Sequence, residues 1–574
     1  MPDDAHAPVL TDRVAPDCAG MDFYAADRSF RDLLAIYLPA AVRGALDPHL
    51  ARLGRLAGNR LDELARIADK HPPVLHPRDR FGRDEDWIEY HPAYREMEAI
   101  AFGDFQFHAM SHRAGVLGMD APLPPVAKYA FQYLFVQAEF GLMCPISVTD
   151  TSIHLIRRFA DDDLRAYLLP RMLSNDLPSL WKGTQFITEK AGGSDVGAIE
   201  TVARQDGNVW RLFGEKWFCS HADADVALIL ARPEGAPSGT RGLALFALPR
   251  RLRDGRRNAY RIVRLKDKLG THSMASGDIL LEGAEVWPVG RIDAGFRQMM
   301  EQVNLSRLSH GVRAAAMMRR CVNEALAATR GRFAFGRAVI EFPLMRQQLM
   351  KLIVPAEQAL SMAFATADAM GRGAAAELRI LTGLLKLRAC RDNVAVATGA
   401  MEARGGNGYI EDWVNPRLIR DAHVGLLWEG TSNINALDVI GRAVAKDGAH
   451  RALAALLRAR LEQAANVPAP FLARLGGAMD RAVAAAERAT ANEALAHSAA
   501  TALYDVASAV LLAWEGSQPA ADARRVLLAR CVLEHRLMPY DPLAPDEAAW
   551  EAPVRSALLH DRPLTPAEAV PLLA

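Results

Sequence analysis

Trp428-Glu429-Gly430-Thr431-Ser432-Asn433 places one carboxylate beside an indole and directly before a glycine and two hydroxyl residues. Alone, Glu429 reads as a charge at a helix N-terminus, where the dipole favours an anion. Two upstream runs change that reading: Ile187-Thr188-Glu189-Lys190-Ala191-Gly192-Gly193-Ser194-Asp195 and Lys216-Trp217-Phe218-Cys219-Ser220. In the first, Gly192 and Gly193 let backbone N–H groups approach a ligand, and Thr188 and Ser194 add hydroxyls. In the second, Trp217 and Ser220 supply an aromatic shelf and another hydroxyl. Read singly, these runs are a turn and a core tryptophan. Together with a carboxylate base they are the parts that hold a flavin against a carbon acid.

The chain around these runs has 574 residues, enough for two to four domains. Its hydrophobic fraction of 50% and charged fraction of 24% are those of an ordinary globular protein. The 68 basic residues balance 68 acidic ones, so no whole-chain attraction to nucleic acid is indicated. Cys18, Cys144, Cys219, Cys321, Cys390 and Cys531 form no CxxC pair. They read as free thiols in a reducing, cytoplasmic compartment. Met1-Pro2-Asp3-Asp4 has no apolar stretch behind it, and no signal peptide is read. No uncharged apolar run approaches the ~18 residues of a membrane span, and no membrane partner is expected.

Periodicity divides the chain. Residues 1–180 read mainly as helices, with Leu61, Leu64, Ile67 and Ala68 at helical spacing and a helix from Tyr129 to Leu142. Residues 181–295 carry short β-rich runs separated by turns such as Asp206-Gly207-Asn208, predicting a small β domain. Residues 296–445 return to long Ala/Leu/Met/Arg helices, and 446–574 are Ala- and Leu-rich helix with a Pro-spaced tail. The tail beyond Tyr540 reads as a segment that wraps a neighbouring surface. The order is not the strand–helix alternation of a dinucleotide-binding sheet. The formal GxGxxA match at Gly371–Ala376 follows helix rather than strand, so it is not read as a phosphate loop. His108 and His112, four apart, read as helix-surface histidines without further metal ligands.

Two further runs matter. Arg332-Phe333-Ala334-Phe335-Gly336 sets a permanently charged fork near a predicted helix end, suited to a pyrophosphate. Glu402-Ala403-Arg404-Gly405-Gly406-Asn407-Gly408-Tyr409 is a tight glycine turn, either a helix C-cap or a close approach to a cofactor.

With Arg420-Asp421, these runs resemble the acyl-CoA dehydrogenase family over nearly the whole chain. Thr188 to Asp195 matches its flavin loop and Lys216 to Ser220 its strand end. Arg332 to Gly336, Gly405 to Gly408 and Glu429 to Asn433 follow in family order. More narrowly the chain resembles the AidB-type, alkylation-response branch. That rests on Cys144-Pro145-Ile146, Thr188-Glu189-Lys190, Arg264 to Gly270, Met317-Met318-Arg319-Arg320, Trp428 and the extra C-terminal helices.

The resemblance implies an α+β, mainly helical fold: N-terminal helices, a central β-barrel, a helical bundle and an appended helical domain. It implies bound FAD, a homotetramer, an acyl-CoA substrate and a role in lipid metabolism, with an electron-transfer flavoprotein or other acceptor as partner. Glu429 is implied as the α-proton base, its own N–H one of two donors to the enolate. Thr188, Ser194, Trp217 and Ser220 would touch the isoalloxazine end, and Thr431 and Asn433 the adenosine-diphosphate part. Arg332 would reach a partner subunit's FAD, with Gly405 and Gly406 near the cofactor. Phe218, Phe335, Trp428 and Gly430 complete the implied cofactor set. Where well-studied members carry an arginine close to the base, the aligned stretch Gly270 to Gly277 offers Gly277. Trp428 is expected to narrow the pocket.

Members of this branch are also linked to DNA protection, the alternative function, through a basic C-terminal domain. From Arg451 to Ala574 there are 12 arginines, no lysine and 14 acidic residues, a net charge of −2. A duplex-binding face normally needs clustered positive charge. Arg524, Arg525, Arg530 and Arg536 are the candidate patch. A third reading is an oxidase or other flavin chemistry on the same fold.

Overall fold

The computed structural model describes residues 14–519, 521–539, 543 and 549–573. The tail segment containing Pro542 and Pro545 lies outside them. The N-terminal helices α1 (Arg28–Tyr37), α2 (Ala40–Gly58), α3 (Arg60–Lys70), α4 (Pro125–Val136), α5 (Met143–Phe159) and α6 (Asp162–Met172) form the first layer. The helix expected from Tyr129 starts earlier, at Pro125, whose fixed φ and missing N–H suit a first helical turn. It stops at Val136, and Leu142 instead precedes α5. A hairpin of β1 (Val74–Arg78) and β2 (Asp84–Glu89) also interrupts the helices. Its buried face holds the acidic Asp86 beside Ile88, while Trp87 and Val74 are exposed, so apolar residues do not mark one face.

The central domain holds β3 (Gly183–Phe186), β4 (Val202–Asp206), β5 (Val209–Ser220), β6 (Val226–Pro233), β7 (Ala244–Pro249), β8 (Tyr260–Leu265) and β9 (Ser276–Pro288). β6 pairs with β4 and β7, β4 with β5, β5 with β9 and β9 with β7, closing a barrel. β3 adds parallel to β6, and β8 adds to β9. The register sets Cys219 opposite Gly277 and Ser220 opposite Ser276.

The bundle follows: α7 (Gly295–Gly331), α8 (Pro343–Gly371), α9 (Ala375–Arg404), α10 (Asn415–Val424) and the short α11 (Ser432–Leu437). α7 is buried along most of its length, and its inward arginines set how the other domains pack. Arg320 donates to both Asp62 oxygens of α3 at 3.0 and 3.1 Å and to Glu324 at 2.9 Å. Arg404 closes the same network on Glu324 at 2.6 Å, and Arg417 on Asp62 at 3.0 Å. Arg319 pairs with Asp27 at 3.0 Å and with Glu357 of α8.

Of the appended helices α12 (Ala449–Gln463), α13 (Ala469–Ala489), α14 (Ala496–Gly516) and α15 (Arg524–Val532), α14 and α15 dock on α8, α12 docks on α9, and α13 packs on α12 and α14. The segment Glu493–Gly516 is long and apolar enough to cross a membrane, yet 72% of that window is buried inside the protein. Arg525 of α15 is fully buried between Glu357 (2.8 Å) and Glu515 (2.7 Å), and Glu515 also accepts from Tyr37 and Ser361.

That network overturns the proposed basic patch. Arg525 is internal, Arg524 donates to the carbonyls of His560 and Arg562, and Arg530 lies over Trp550 and bonds the Leu572 carbonyl. Arg536 pairs with Asp505 and Asp392. These four arginines neutralise internal acceptors rather than forming a surface. The histidine expectation also fails, because His108 and His112 are buried in turns. His112 meets Asp150, which Lys128 also pairs, and His108 bonds the Ser174 carbonyl. Among the described residues no group of three metal-binding side chains exists.

Removing the cation of a buried pair strands its carboxylates, at a cost of about 3–5 kcal/mol. Arg525→Met is therefore expected to lower stability by roughly that amount, with an early urea transition in the C-terminal helices. A loss under about 1 kcal/mol would show that the staple is not needed.

Candidate functional site

The turn after α10 carries Glu429 at φ +55° and Gly430 at φ +94°. A left-handed glutamate is uncommon and persists only where its surroundings fix it. Here the barrel and α7 fix it from two sides. Its Oε1 accepts from Gln185 Nε2 of β3 at 2.8 Å and from Ser306 Oγ of α7 at 2.9 Å. Its carbonyl accepts from Arg307 Nε of α7 at 3.1 Å, and Arg307 is anchored on Asp438 at 2.9 Å. Burial raises the Glu429 carboxyl above its ordinary range, while the Ser306 hydroxyl and the charges of Arg307, Lys386 and Arg313 oppose the rise. Asn435 ties the turn, donating to the Gly430 and Thr431 carbonyls at 2.7 and 2.9 Å.

The arginine beside Glu429 thus comes from α7, not from the strand stretch ending at Gly277. A Cβ at Gly277 would stand 2.9 Å from the Arg264 carbonyl, so β8 leaves no room for any side chain there. Trp428 is half-buried against Cys144, Val148 and Met274 and meets the His310 ring edge-to-face at 5.4 Å.

The loop from Thr188 is held from behind. The buried Glu189 carboxylate accepts from Lys216 Nζ at 2.7 Å, the Glu200 N–H at 2.6 Å and the Thr201 N–H at 3.2 Å. Burial alone would raise Glu189; Lys216 and these bonds hold it below its ordinary range. Trp217 N–H donates to the Thr188 carbonyl at 2.9 Å, which joins the loop to the strand end. Gly192 stands at φ +119° with open space where a side chain would be. Thr188 and Ser220 are half-buried and Ser194 is exposed. The Trp217 ring takes Lys266 Nζ at 3.5 Å from its centroid, and Phe218 beside it is exposed.

Arg332, Phe335, Gly405 and Gly406 lie at a separate junction. Phe335 (φ +51°) and Gly336 (φ +81°) turn a tiny hairpin of Phe333–Ala334 against Arg337–Ala338, with Phe335 96% exposed. The run is therefore a projecting tip rather than a helix end. A Cβ at Gly405 would meet Arg332 Nη1 at 2.8 Å, so the glycine lets the exposed guanidinium lie on the turn. Thr431 caps α11, and Thr431 and Asn433 are exposed.

Motif reading missed Gln185, Ser306, Arg307 and Asn435. The traceable signal is a polar stripe on an apolar helix, Ser306, Ser309, His310 and Arg313, at spacings of three and four.

This barrel between helical layers, with a half-buried glutamate hydrogen-bonded to barrel and bundle alike, defines the acyl-CoA dehydrogenase architecture. Sequence profiles agree: the AidB N-terminal domain matches residues 14–177, the acyl-CoA dehydrogenase middle domain 184–284, and the C-terminal domain 293–445. Acyl-CoA dehydrogenase family member 11 of Caenorhabditis elegans is 31% identical over 437 residues, covering 72% of this chain and 69% of that protein. Putative acyl-CoA dehydrogenase AidB of Escherichia coli K12 is 34% identical over 409 residues, 68% of this chain and 73% of that protein. The crystal structure of Caenorhabditis elegans ACDH-11 in complex with C11-CoA superposes with a TM-score of 0.85 at 26% identity, over 94% of this chain and 95% of that one. The chain belongs to the acyl-CoA dehydrogenase family, and its N-terminal domain is of the AidB type.

The loop that carries Met274 to Trp428 rests on Asp421, which accepts from the Thr271 N–H at 2.6 Å, and on Lys268, which donates to the carbonyls of Thr271 and Met274. Burial, then Asp69 and Glu139, push the Asp421 carboxyl up to about 7, against the Thr271 bond and Arg417. Its folded value exceeds its unfolded one, so its stability contribution is full below pH ~4 and is lost as pH rises through about 7. Asp421→Asn should abolish that decline, gaining on the order of 2–4 kcal/mol over wild type at pH 8 relative to pH 4. Parallel melting curves of the two proteins across this range would contradict the assignment.

Proposed function

We propose that the chain is an FAD-dependent acyl-CoA dehydrogenase that forms a Cα–Cβ double bond in an acyl-CoA thioester, with Glu429 as the base. The observation that carries this reading is the raised, doubly hydrogen-bonded Glu429 carboxylate, set by a left-handed turn beside the barrel. The complex of its relative with C11-CoA supports the substrate class.

The donor set fits the cofactor: an open glycine turn, the hydroxyls of Thr188, Ser194 and Ser220, and the Trp217–Phe218 shelf. Gly430, Thr431 and Asn433 would hold the adenosine-diphosphate part. Arg332, Phe335, Gly405 and Gly406 would serve a neighbouring copy. Phe333, Phe335, Leu344 and Tyr409, all strongly exposed, give that copy an apolar surface to cover, in keeping with a homotetramer. When bound, FAD supplies the hydride acceptor, with an electron-transfer flavoprotein or other acceptor downstream.

Glu429 takes the α-proton. Its raised pKa brings it nearer the weak acidity of the α-carbon. Its backbone N–H has no acceptor among the described residues and is free to donate to the thioester oxygen, where enolate charge develops. Gln185 and Ser306 hold the carboxylate in one orientation, and Trp428 restricts the acyl groups admitted.

Purified protein should be yellow and bleach anaerobically with an acyl-CoA from a chain-length panel; a colourless protein that takes up no FAD would sink the reading. Glu429→Gln should keep FAD and slow bleaching at least ~100-fold. Bleaching by this variant at the wild-type rate would remove Glu429 as the base. The rate should rise with pH as Glu429 ionises. Ser306→Ala removes a bond to the charged form and should move that limb about one unit alkaline. An unmoved limb would mean that Ser306 does not set the base.

A further inference from the structure

A cleft of about 520 Å³ opens between α3, residues 17–20 and the loop 411–414 that precedes α10. That is room for a small organic molecule rather than a single ion. None of the residues assigned above to the base or the cofactor lines it.

The floor of the cleft belongs to the network that joins α3 to α7. Asp62 receives Arg320 and Arg417, and Glu324 receives Arg320 and Arg404, so three arginines share two carboxylates. Glu139 also lies near Arg417, but burial raises its carboxyl, and it already holds the Ser273 hydroxyl and the Leu142 N–H. Arg417 is 7% exposed and lines the cleft. Its Nη2 serves Asp62 at 3.0 Å and the Ala138 carbonyl at 3.1 Å, while its Nη1 has no partner among the described residues. A buried guanidinium edge left open in this way costs free energy until an acceptor arrives.

The walls add charge of both signs. Arg66 and Lys70 stand four residues apart on α3 and so share a face. Both are exposed, line the cleft and have no carboxylate partner among the described residues. Most acids of the cleft are taken: Glu63 by Arg60, Glu411 by Arg420, and Asp69 by Arg420 and His272. Asp412 has no partner among the described residues, and Asp17 accepts only the Ala19 N–H. The half-buried Trp413 lines the same cleft.

These groups select a ligand by its chemistry. An Arg fork, a second arginine and a lysine suit a phosphate, which offers several acceptor oxygens and up to two charges. The spare carboxylates of Asp17 and Asp412 disfavour a bare anion but accept hydrogen bonds from hydroxyl groups. An indole offers a flat apolar face to a sugar or a base. We propose that the cleft is a binding site for a phosphorylated sugar, free or within a mononucleotide, separate from the thioester and cofactor sites. The phosphate meets Arg417, Arg66 and Lys70, the sugar hydroxyls meet Asp17 and Asp412, and Trp413 covers the remainder.

Calorimetry on the FAD-loaded protein with inorganic phosphate, ribose 5-phosphate and AMP tests this. At least one of the two esters should bind, one per chain, at least ~10-fold tighter than inorganic phosphate. Tighter binding of AMP than of ribose 5-phosphate identifies the mononucleotide; equal or weaker binding identifies the sugar phosphate. The double variant Arg66→Ala/Lys70→Ala should weaken ester binding at least ~10-fold. Asp412→Ala should weaken the esters without weakening inorganic phosphate, a split that a general loss of structure would not produce. Arg66, Lys70 and Asp412 are all exposed, so the fold does not depend on them. The proposal is overturned if neither ester binds at millimolar concentration, if inorganic phosphate binds as tightly, or if the double variant binds like wild type. Release of FAD by AMP, or competition between the ester and an acyl-CoA on Glu429→Gln, would overturn it too, by placing the ester in a site already described. If no acyl-CoA bleaches the flavin, the dehydrogenase reading falls, and the ester titrations still decide the cleft.

Discussion

A buried arginine must find acceptors, and α7 buries three of them, with Arg319 nearly so, along one helix. That requirement organises the molecule. Arg320 can be inside only if α3 brings Asp62, and Arg319 only if Asp27 and Glu357 arrive together. Arg307 needs Asp438 from the segment after the Glu429 turn. Each pairing joins α7 to a different part of the chain. The cost of stranding a buried charge makes these joints far less forgiving than apolar contacts.

The site inherits its precision from those joints. Glu429 lies in a turn that L-residues rarely adopt, and its own backbone does not favour it. Gln185 from the barrel and Ser306 and Arg307 from α7 determine where the carboxylate stands. Because Arg307 is itself fixed by Asp438, the base is positioned by the domain assembly rather than by its neighbours in sequence. The Thr188 loop is built on the same principle: the Glu189–Lys216 pair sits behind it and leaves its outer face open. The appended helices join through Arg525 and Glu515, so Arg524, Arg525, Arg530 and Arg536 are spent internally.

Much of this was legible beforehand. The Thr188, Trp217 and Glu429 runs are contiguous, and their residue types are tied to backbone demands that glycines and hydroxyls reveal locally. The barrel was legible because short alternating runs between turns have few other solutions. The β1–β2 hairpin was not, since it buries Asp86 beside Ile88 and exposes Trp87, so polarity does not follow its burial. His108 and His112 misled because a spacing of four suggests a helix, whereas Asp150 and a backbone carbonyl hold them in buried turns. The arginine near the base was sought on a strand where β8 leaves no room for a side chain.

By itself the sequence determined the family and the order of its layers, and it singled out Glu429 as the candidate base, because those rest on local patterns and short motifs. Only the tertiary structure decided which side chains touch Glu429, and which of the arginines are surface and which are staples. It also decided that Arg313, fully buried, bonds only the Ser309 hydroxyl while the Glu429 charge lies nearby. Charge pairing is a long-range property: Arg320 and Asp62 stand 258 residues apart, and Gln185 and Glu429 stand 244 apart. No local pattern records which distant acceptor a buried cation will meet.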